Sequence, residues 1–227
     1  MVGAGVDVPR AELFDAILFD NDGVLVDTEE LYFRACRETL AAVGVTLELA
    51  TYIETLLREG IGVWHLAEAR GLSPAEITAL RAERDRRYVE LAEQTEVLIP
   101  GVAELLPRLA SRFRLAIVTS SEPVPFARVH ARTGLLPHFE LVLTRFDYER
   151  AKPEPEPYLR AVERLGLHPS RCLVIEDSER GLRAAKAAGL CCWVVPSGLT
   201  RDGDFTAADA VLPDLAAAAA RLLDRRP

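Results

Sequence analysis

Hydrophobic positions along this chain follow two rhythms. Residues 16–19 (AILF), 115–118 (LAIV), 141–143 (LVL), 172–175 (CLVI) and 191–195 (CCWVV) are short runs, apolar at nearly every position. Such runs suit strands buried on both faces of a parallel sheet. Residues 210–212 form a shorter run of the same kind, expected at a sheet edge. Elsewhere apolar residues return at helical spacing. Leu31, Ala35, Thr39, Leu40 and Val43 mark a helix that Gly44 should stop. Further helices are expected over 48–58, ending near Gly60, and over 63–70, stopping at Gly71. Ser73-Pro74-Ala75-Glu76 supplies an N-cap, a proline in the first turn and a glutamate at N3, a strong start for a helix running to about 94.

From 30 to 96 these helices follow one another with no strand between them. After Ile99-Pro100-Gly101-Val102 a helix to about 111 leads into strict alternation of strands and helices, and Gly134, Gly166 and Gly189 each stand behind a helix. Alternating β and α units with short loops imply an α/β fold with a doubly wound parallel sheet, a Rossmann-like core. The expected division is a core of residues 11–29 and 97–227 interrupted by an all-helical insertion at 30–96. Asp27, followed three residues later by Glu30, is expected to cap the first helix of that insertion. The cluster Arg81, Glu83, Arg84, Asp85, Arg86 and Arg87 is expected to form the solvated face of its last.

Composition narrows the class of partner. The 227 residues are 49% hydrophobic and 27% charged, enough to bury a sizeable core, and the formal net charge is -8. That balance argues against a nucleic acid or an anionic membrane as partner. No apolar run approaches the length of a membrane helix, and the N-terminus lacks a basic-then-apolar signal pattern. Cys36, Cys172, Cys191 and Cys192 show neither metal-ligand spacing nor a disulfide framework, and the last three sit in apolar runs as core cysteines do. A soluble, cytoplasmic monomer is the expectation.

Chemistry collects where the apolar runs stop. The first ends at Asp20-Asn21-Asp22-Gly23, the second at Thr119-Ser120-Ser121, and the fourth at Glu176-Asp177-Ser178. Parallel strands bring their carboxyl ends to one edge of the sheet, where ligands bind. Four carboxylates meeting there would repel one another unless a cation intervened, and an all-oxygen site with few protein ligands suits Mg²⁺. Hydroxyls at a helix N-terminus after the second run suit a phosphate group. Lys152 lies in a proline-stiffened loop, Lys152-Pro153-Glu154-Pro155-Glu156-Pro157, and supplies a further positive charge.

The order D-x-D-G-V-L, then T-S, then K-P-x-P, then E-D-S with a small-residue helix resembles the four-motif signature of the haloacid dehalogenase-like hydrolases. The helical insertion after the first motif is similar to the cap of the subgroup holding β-phosphoglucomutases and phosphoglycolate-type phosphatases. The resemblance implies a Mg²⁺-dependent phosphatase acting on a small phosphorylated metabolite of the sugar or polyol phosphate class. Asp20 would be the nucleophile and Asp22 the general acid and then base. Thr119, Ser120 and Lys152 would hold the phosphoryl oxygens, and Glu176 and Asp177, with Asp20 and Asp22, would hold the metal. Cap residues expected to face the site are Tyr32, Arg58, Val63, Trp64 and His65. Where β-phosphoglucomutases place cap cations, this chain has Tyr32 and Val63 or Trp64, so hydrolysis is expected over phosphate transfer between sugar positions. A phosphomutase and a non-catalytic phosphate-ligand sensor are the alternatives.

Overall fold

The computed structural model describes residues 13–224; positions 11, 12 and 225–227 of the expected core lie outside them. The first apolar run forms β1 (Ala16–Phe19), buried at every residue, and the chain then becomes helical. Helices α1 (Glu29–Ala41), α2 (Leu49–Tyr52), α3 (His65–Glu68) and α4 (Pro74–Glu93) follow, with α2 continuing through a π-helical stretch, Ile53–Arg58. After α5 (Val102–Ala110) the alternation begins: β2 (Arg114–Val118), α6 (Pro123–His130), β3 (Leu141–Leu143) and α7 (Glu156–Leu165). It ends with β4 (Cys172–Glu176), α8 (Glu179–Ala187), β5 (Cys191–Val194), β6 (Ala210–Val211) and α9 (Leu215–Leu223).

The six strands form one parallel sheet in the order β3-β2-β1-β4-β5-β6. β1 is central, paired on either side with β2 and β4. The chain winds outward to β3 and then returns to build the other half, so the point where the winding reverses lies beside the end of β1. Alternate residues of each strand feed two core layers. Ile17 and Phe19 pack with Leu106 and Leu109 of α5 and Leu222 of α9, while Leu18 packs on the other face with Tyr158 of α7 and Leu182 of α8.

The helical insertion has a hydrophobic cluster of its own, centred on Leu40, Tyr52, Leu57 and Trp64. Its longest helix, α4, begins at the expected capping box: Ser73 Oγ accepts from the Glu76 amide and the Glu76 carboxylate accepts from the Ser73 amide. The expected cap at Asp27 does not form. Thr28 is the residue before α1, Asp27 is exposed with its amide bonded to the Val97 carbonyl, and the Thr28 hydroxyl turns toward Asp22 instead of its own helix. The helix expected over 63–70 shortens to one turn, α3. Among the described residues no helix is long and apolar enough to cross a membrane, and all four cysteines are free.

Candidate active site

At the end of β1 the backbone turns sharply. Gly23 adopts φ +81°, and a Cβ there would lie 2.1 Å from Asp177 Oδ2, so glycine lets the first loop pack against the fourth motif. The Asn21 carbonyl accepts from the amides of Leu25 and Val26, closing the turn. The Asn21 side chain is buried, and His130 Nε2 lies 2.7 Å from its Oδ1. Because an amide oxygen only accepts, Nε2 carries the proton and donates, and the Thr133 hydroxyl lies 3.0 Å from Nδ1. Burial holds this imidazole's pKa down to about 4, so it is neutral beneath the loop that follows β1.

Lys152 is the centre of charge. Its Nζ, almost fully buried, donates to Asp20 Oδ1 (2.8 Å), Glu176 Oε1 (2.7 Å) and the Val118 carbonyl (2.9 Å), which uses all three ammonium protons. Burial disfavours its charge, but Asp20 and Glu176 more than compensate and raise its pKa. Glu176 is held throughout: Oε1 also accepts from Tyr158 Oη (2.6 Å), and Oε2 accepts from the Ser178 hydroxyl (3.0 Å) and the Asp177 and Ser178 amides. A Cβ on Gly181 would overlap this carboxylate at 1.9 Å, so α8 can approach only with glycine there.

Around this pair stand the other expected residues. Asp22 Oδ2 accepts from Ser121 Oγ (3.0 Å) and more weakly from Thr119 Oγ1 (3.5 Å), and Thr28 Oγ1 donates to Oδ1. The buried Ser120 hydroxyl forms no hydrogen bond of good geometry and borders the open cavity. Asp177 Oδ2 accepts from Thr200 Oγ1 (2.9 Å) and Ser197 Oγ (3.4 Å). The carboxylates of Asp20, Glu176 and Asp177 offer oxygen atoms within 4.8 Å of one another. The Asp22 side chain lies outside this trio. Neither Asp20 Oδ2 nor Asp177 Oδ1 accepts a hydrogen bond from a described residue. Two uncommitted, buried carboxylate oxygens in an all-oxygen set fit a hard divalent cation such as Mg²⁺.

Without a cation these groups favour protons. Burial, reinforced by Glu176, raises Asp20 to about 7, and burial followed by Asp20 and Glu176 raises Asp177 well above the usual carboxylate range. Glu29, desolvated on the cavity wall, rises to about 7. A carboxyl whose folded pKa is raised binds its proton more tightly in the native state, so it withdraws stability as pH climbs from about 4 toward the folded value. His130, depressed, acts the opposite way between about 4 and 6.5 and is one group against three. Metal-free protein is therefore expected to lose stability between pH 5 and 8, and saturating Mg²⁺ to flatten that slope. Thermal unfolding at both pH values with and without Mg²⁺ checks this; an unchanged slope would place the metal elsewhere.

A cavity of about 290 Å³ opens between these strand ends and the helical insertion, a small-metabolite scale. Tyr32 and Trp64 line it as expected, while Arg58, Val63 and His65 do not. Val63 is buried in the insertion's own core, Arg58 pairs with Glu54 and the Asp202 carbonyl, and His65 Nδ1 lies 3.1 Å from the Gly62 carbonyl. The charged cluster of α4 divides in two. Arg86 and Arg87 pair with Glu83 on the surface, as expected. Arg84 instead is buried, its guanidinium 4.5 Å from the Tyr32 ring and 5.5 Å from that of Trp64, with Nε donating to Asp85 Oδ1 (2.8 Å) and Nη1 to the Tyr32 hydroxyl. Arg81, Arg84, Asp85 and Tyr88 all face the cavity. The insertion thus carries cations over the site, but on α4 rather than at Arg58 or His65, and not at the positions where β-phosphoglucomutases place theirs. The i, i+3, i+4, i+7 spacing of these four α4 residues is the one sequence signal that marks them as a single helix face.

Comparison with known proteins shows the family. Residues 14–189 match the family model described as haloacid dehalogenase-like hydrolase. The chain is a haloacid dehalogenase-like hydrolase. Protein CbbY of Rhodobacter capsulatus is 41% identical, over 93% of this chain and 98% of its own. A phosphorylated carbohydrates phosphatase of Thermotoga maritima is 35% identical, over 78% and 82% of the two chains. The crystal structure of a CbbY variant from Rhodobacter sphaeroides in complex with xylulose-(1,5)bisphosphate superposes with a TM-score of 0.76. That protein shares 33% identity, over 89% of this chain and 95% of its own.

Proposed function

We propose that this phosphoric monoester hydrolase is a Mg²⁺-dependent phosphatase that cleaves a small phosphorylated sugar through an aspartyl-phosphate on Asp20. The observation that carries the reading is the buried Lys152, whose ammonium ties Asp20 to Glu176 at the floor of a cavity with arginines opposite. The relatives' names support the class of substrate. A CbbY holding a sugar with two phosphates, together with Arg81 and Arg84 facing this cavity, favours a bisphosphate.

In this reading the Asp20 carboxylate attacks phosphorus as the ester P–O bond breaks. Asp22, steadied by Thr28 and Ser121, gives its proton to the departing sugar oxygen. Asp22 then takes a proton from a water molecule that attacks phosphorus, the bond to Asp20 breaks, and inorganic phosphate leaves. Ser120, whose hydroxyl borders the cavity, would take a phosphoryl oxygen, while Thr119, enclosed and bonded to Asp22 and the Ser121 amide, would steady the loop. Lys152 offsets charge on Asp20 rather than donating freely, because its three protons are engaged. Asp20 and Asp177 would hold Mg²⁺ with Glu176 beside them; the bound ion would neutralise phosphoryl oxygens and relieve repulsion between the carboxylate and the incoming anion. Residues 30–96 act as a cap whose closure excludes water and fits the sugar.

The test is a panel of pentose, pentulose and hexose mono- and bisphosphates, followed by phosphorus NMR. Stoichiometric free phosphate, lost on addition of EDTA and restored by Mg²⁺, is the expected result. A phosphate that moves between sugar positions without release would make the protein a mutase. Binding without turnover of any member would make it a phosphate-ligand sensor.

A further inference from the structure

We propose that Arg180 is a specificity-determining residue whose guanidinium hydrogen-bonds an oxygen of the substrate outside the phosphoryl group being transferred, an inference that rests on the sugar-phosphate reading above. Arg180 is the second residue of α8, just beyond the Ser178 cap at the end of β4, and it lines the same cavity as Asp20, Asp22 and Lys152. Its Nε is buried and has no hydrogen-bond partner. Among the described residues Arg180 forms neither a hydrogen bond nor an ion pair, although the neighbouring arginines are engaged: Arg183 donates to the Arg58 carbonyl and Arg58 pairs with Glu54.

The Nε–H, shielded from water yet unpaired, is costly, since a buried donor loses hydration without replacement. Burial works against the charge of Arg180, but the fields of Glu29, Asp20 and Glu176 together keep it cationic. A guanidinium that lines the cavity with no protein partner is suited to an incoming oxyanion or polarised oxygen. In the proposed mechanism the transferred phosphoryl group is served by Ser120 at the cavity wall and by the Asp20 side of the site. The strongest field on Arg180 comes instead from Glu29, whose carboxylate accepts from Tyr52 of the helical insertion. Glu29 and Arg180 line the same cavity, so a sugar held there would meet an acceptor from α1 and a donor from α8. The oxygen Arg180 takes is a hydroxyl or carbonyl of the sugar or an oxygen of a second phosphate.

Arg180→Met and Arg180→Lys test this, with p-nitrophenyl phosphate as a substrate that offers little beyond its phosphoryl group. In Arg180→Met, kcat/KM for the preferred sugar phosphate should fall about 10- to 100-fold, chiefly through KM, as for loss of one charged hydrogen bond. The loss with p-nitrophenyl phosphate should be at least several-fold smaller, and Arg180→Lys should recover part of the deficit. Thermal unfolding should not weaken, because no native bond is removed. Inhibition constants of sugar mono- and bisphosphates against p-nitrophenyl phosphate hydrolysis locate the contact. A loss confined to bisphosphates places it on the second phosphate, and a loss shared by both places it on the sugar. Equal losses for sugar phosphates and p-nitrophenyl phosphate, or no loss, would overturn the proposal. Failure of the unaltered enzyme to hydrolyse any sugar phosphate would refute the phosphatase reading alone, because the inhibition constants still report the Arg180 contact.

Discussion

Asp20→Asn is expected to abolish turnover, leaving under about a hundredth of the parent kcat, because a covalent nucleophile has no substitute in the cavity. The protein should nevertheless stay folded. Burial already raises the Asp20 carboxyl to about 7, so a neutral amide of the same shape removes a charge the fold tolerates poorly. Lys152 would keep Glu176 and the Val118 carbonyl as partners. Steady-state kinetics and thermal unfolding on the same preparation check both halves. Substantial residual activity would show that Asp20 does not carry the phosphoryl group, and a collapse in melting temperature would show that it is chiefly structural.

Lys152→Met should cost both activity and stability. The methionine fills much the same volume but leaves Asp20 and Glu176 buried against each other with no cation between them. Removing one partner of a buried ion pair typically costs about 3–5 kcal/mol, much of it from the stranded charge. The penalty depends on pH with a definite sign. Glu176 has a lowered pKa even though burial opposes ionisation, because Lys152 and its hydrogen bonds outweigh that cost. Without Lys152 its pKa should rise, so Glu176 would bind a proton more tightly in the native state than in the unfolded chain. The variant's deficit should therefore be smaller near pH 5 and grow toward pH 8. Lys152→Arg is not expected to restore the parent, since a planar guanidinium cannot reproduce three bonds converging on one nitrogen. Urea unfolding at the two pH values measures the effect; equal stability of variant and parent would mean that the buried triad contributes nothing to the fold.

The sheet was legible because its strands are apolar without interruption, and three of them stop at residues that cannot be buried unpaired. That abrupt change marks Asp20, Thr119 and Asp177 in the sequence alone. The helix of α4 was legible for a similar local reason, the reciprocal Ser73–Glu76 cap. What local pattern does not encode is how two units meet. Arg84 reads as a surface charge until Tyr32 of α1 and Trp64 of the preceding loop are folded over it. Thr28 reads as a neighbour of a cap until Asp22 turns back to it. The Asn21–His130 contact joins residues far apart in the chain through the packing of α6 under the first loop, and nothing in the intervening sequence points to it. Arg180 adjoins a legible motif but gains its meaning only from the absence of a partner in three dimensions.

The central claim, a covalent phosphoryl group on Asp20, is most directly tested by acid-quenching the Asp22→Asn variant during reaction with p-nitrophenyl phosphate and Mg²⁺. The good leaving group needs little help from an acid, whereas loss of the base should slow hydrolysis of the intermediate. Peptide mass mapping should find one added phosphoryl group, on Asp20, absent when Mg²⁺ is withheld. Release of p-nitrophenol with no phosphoryl adduct, or an adduct on any other residue, would contradict the account.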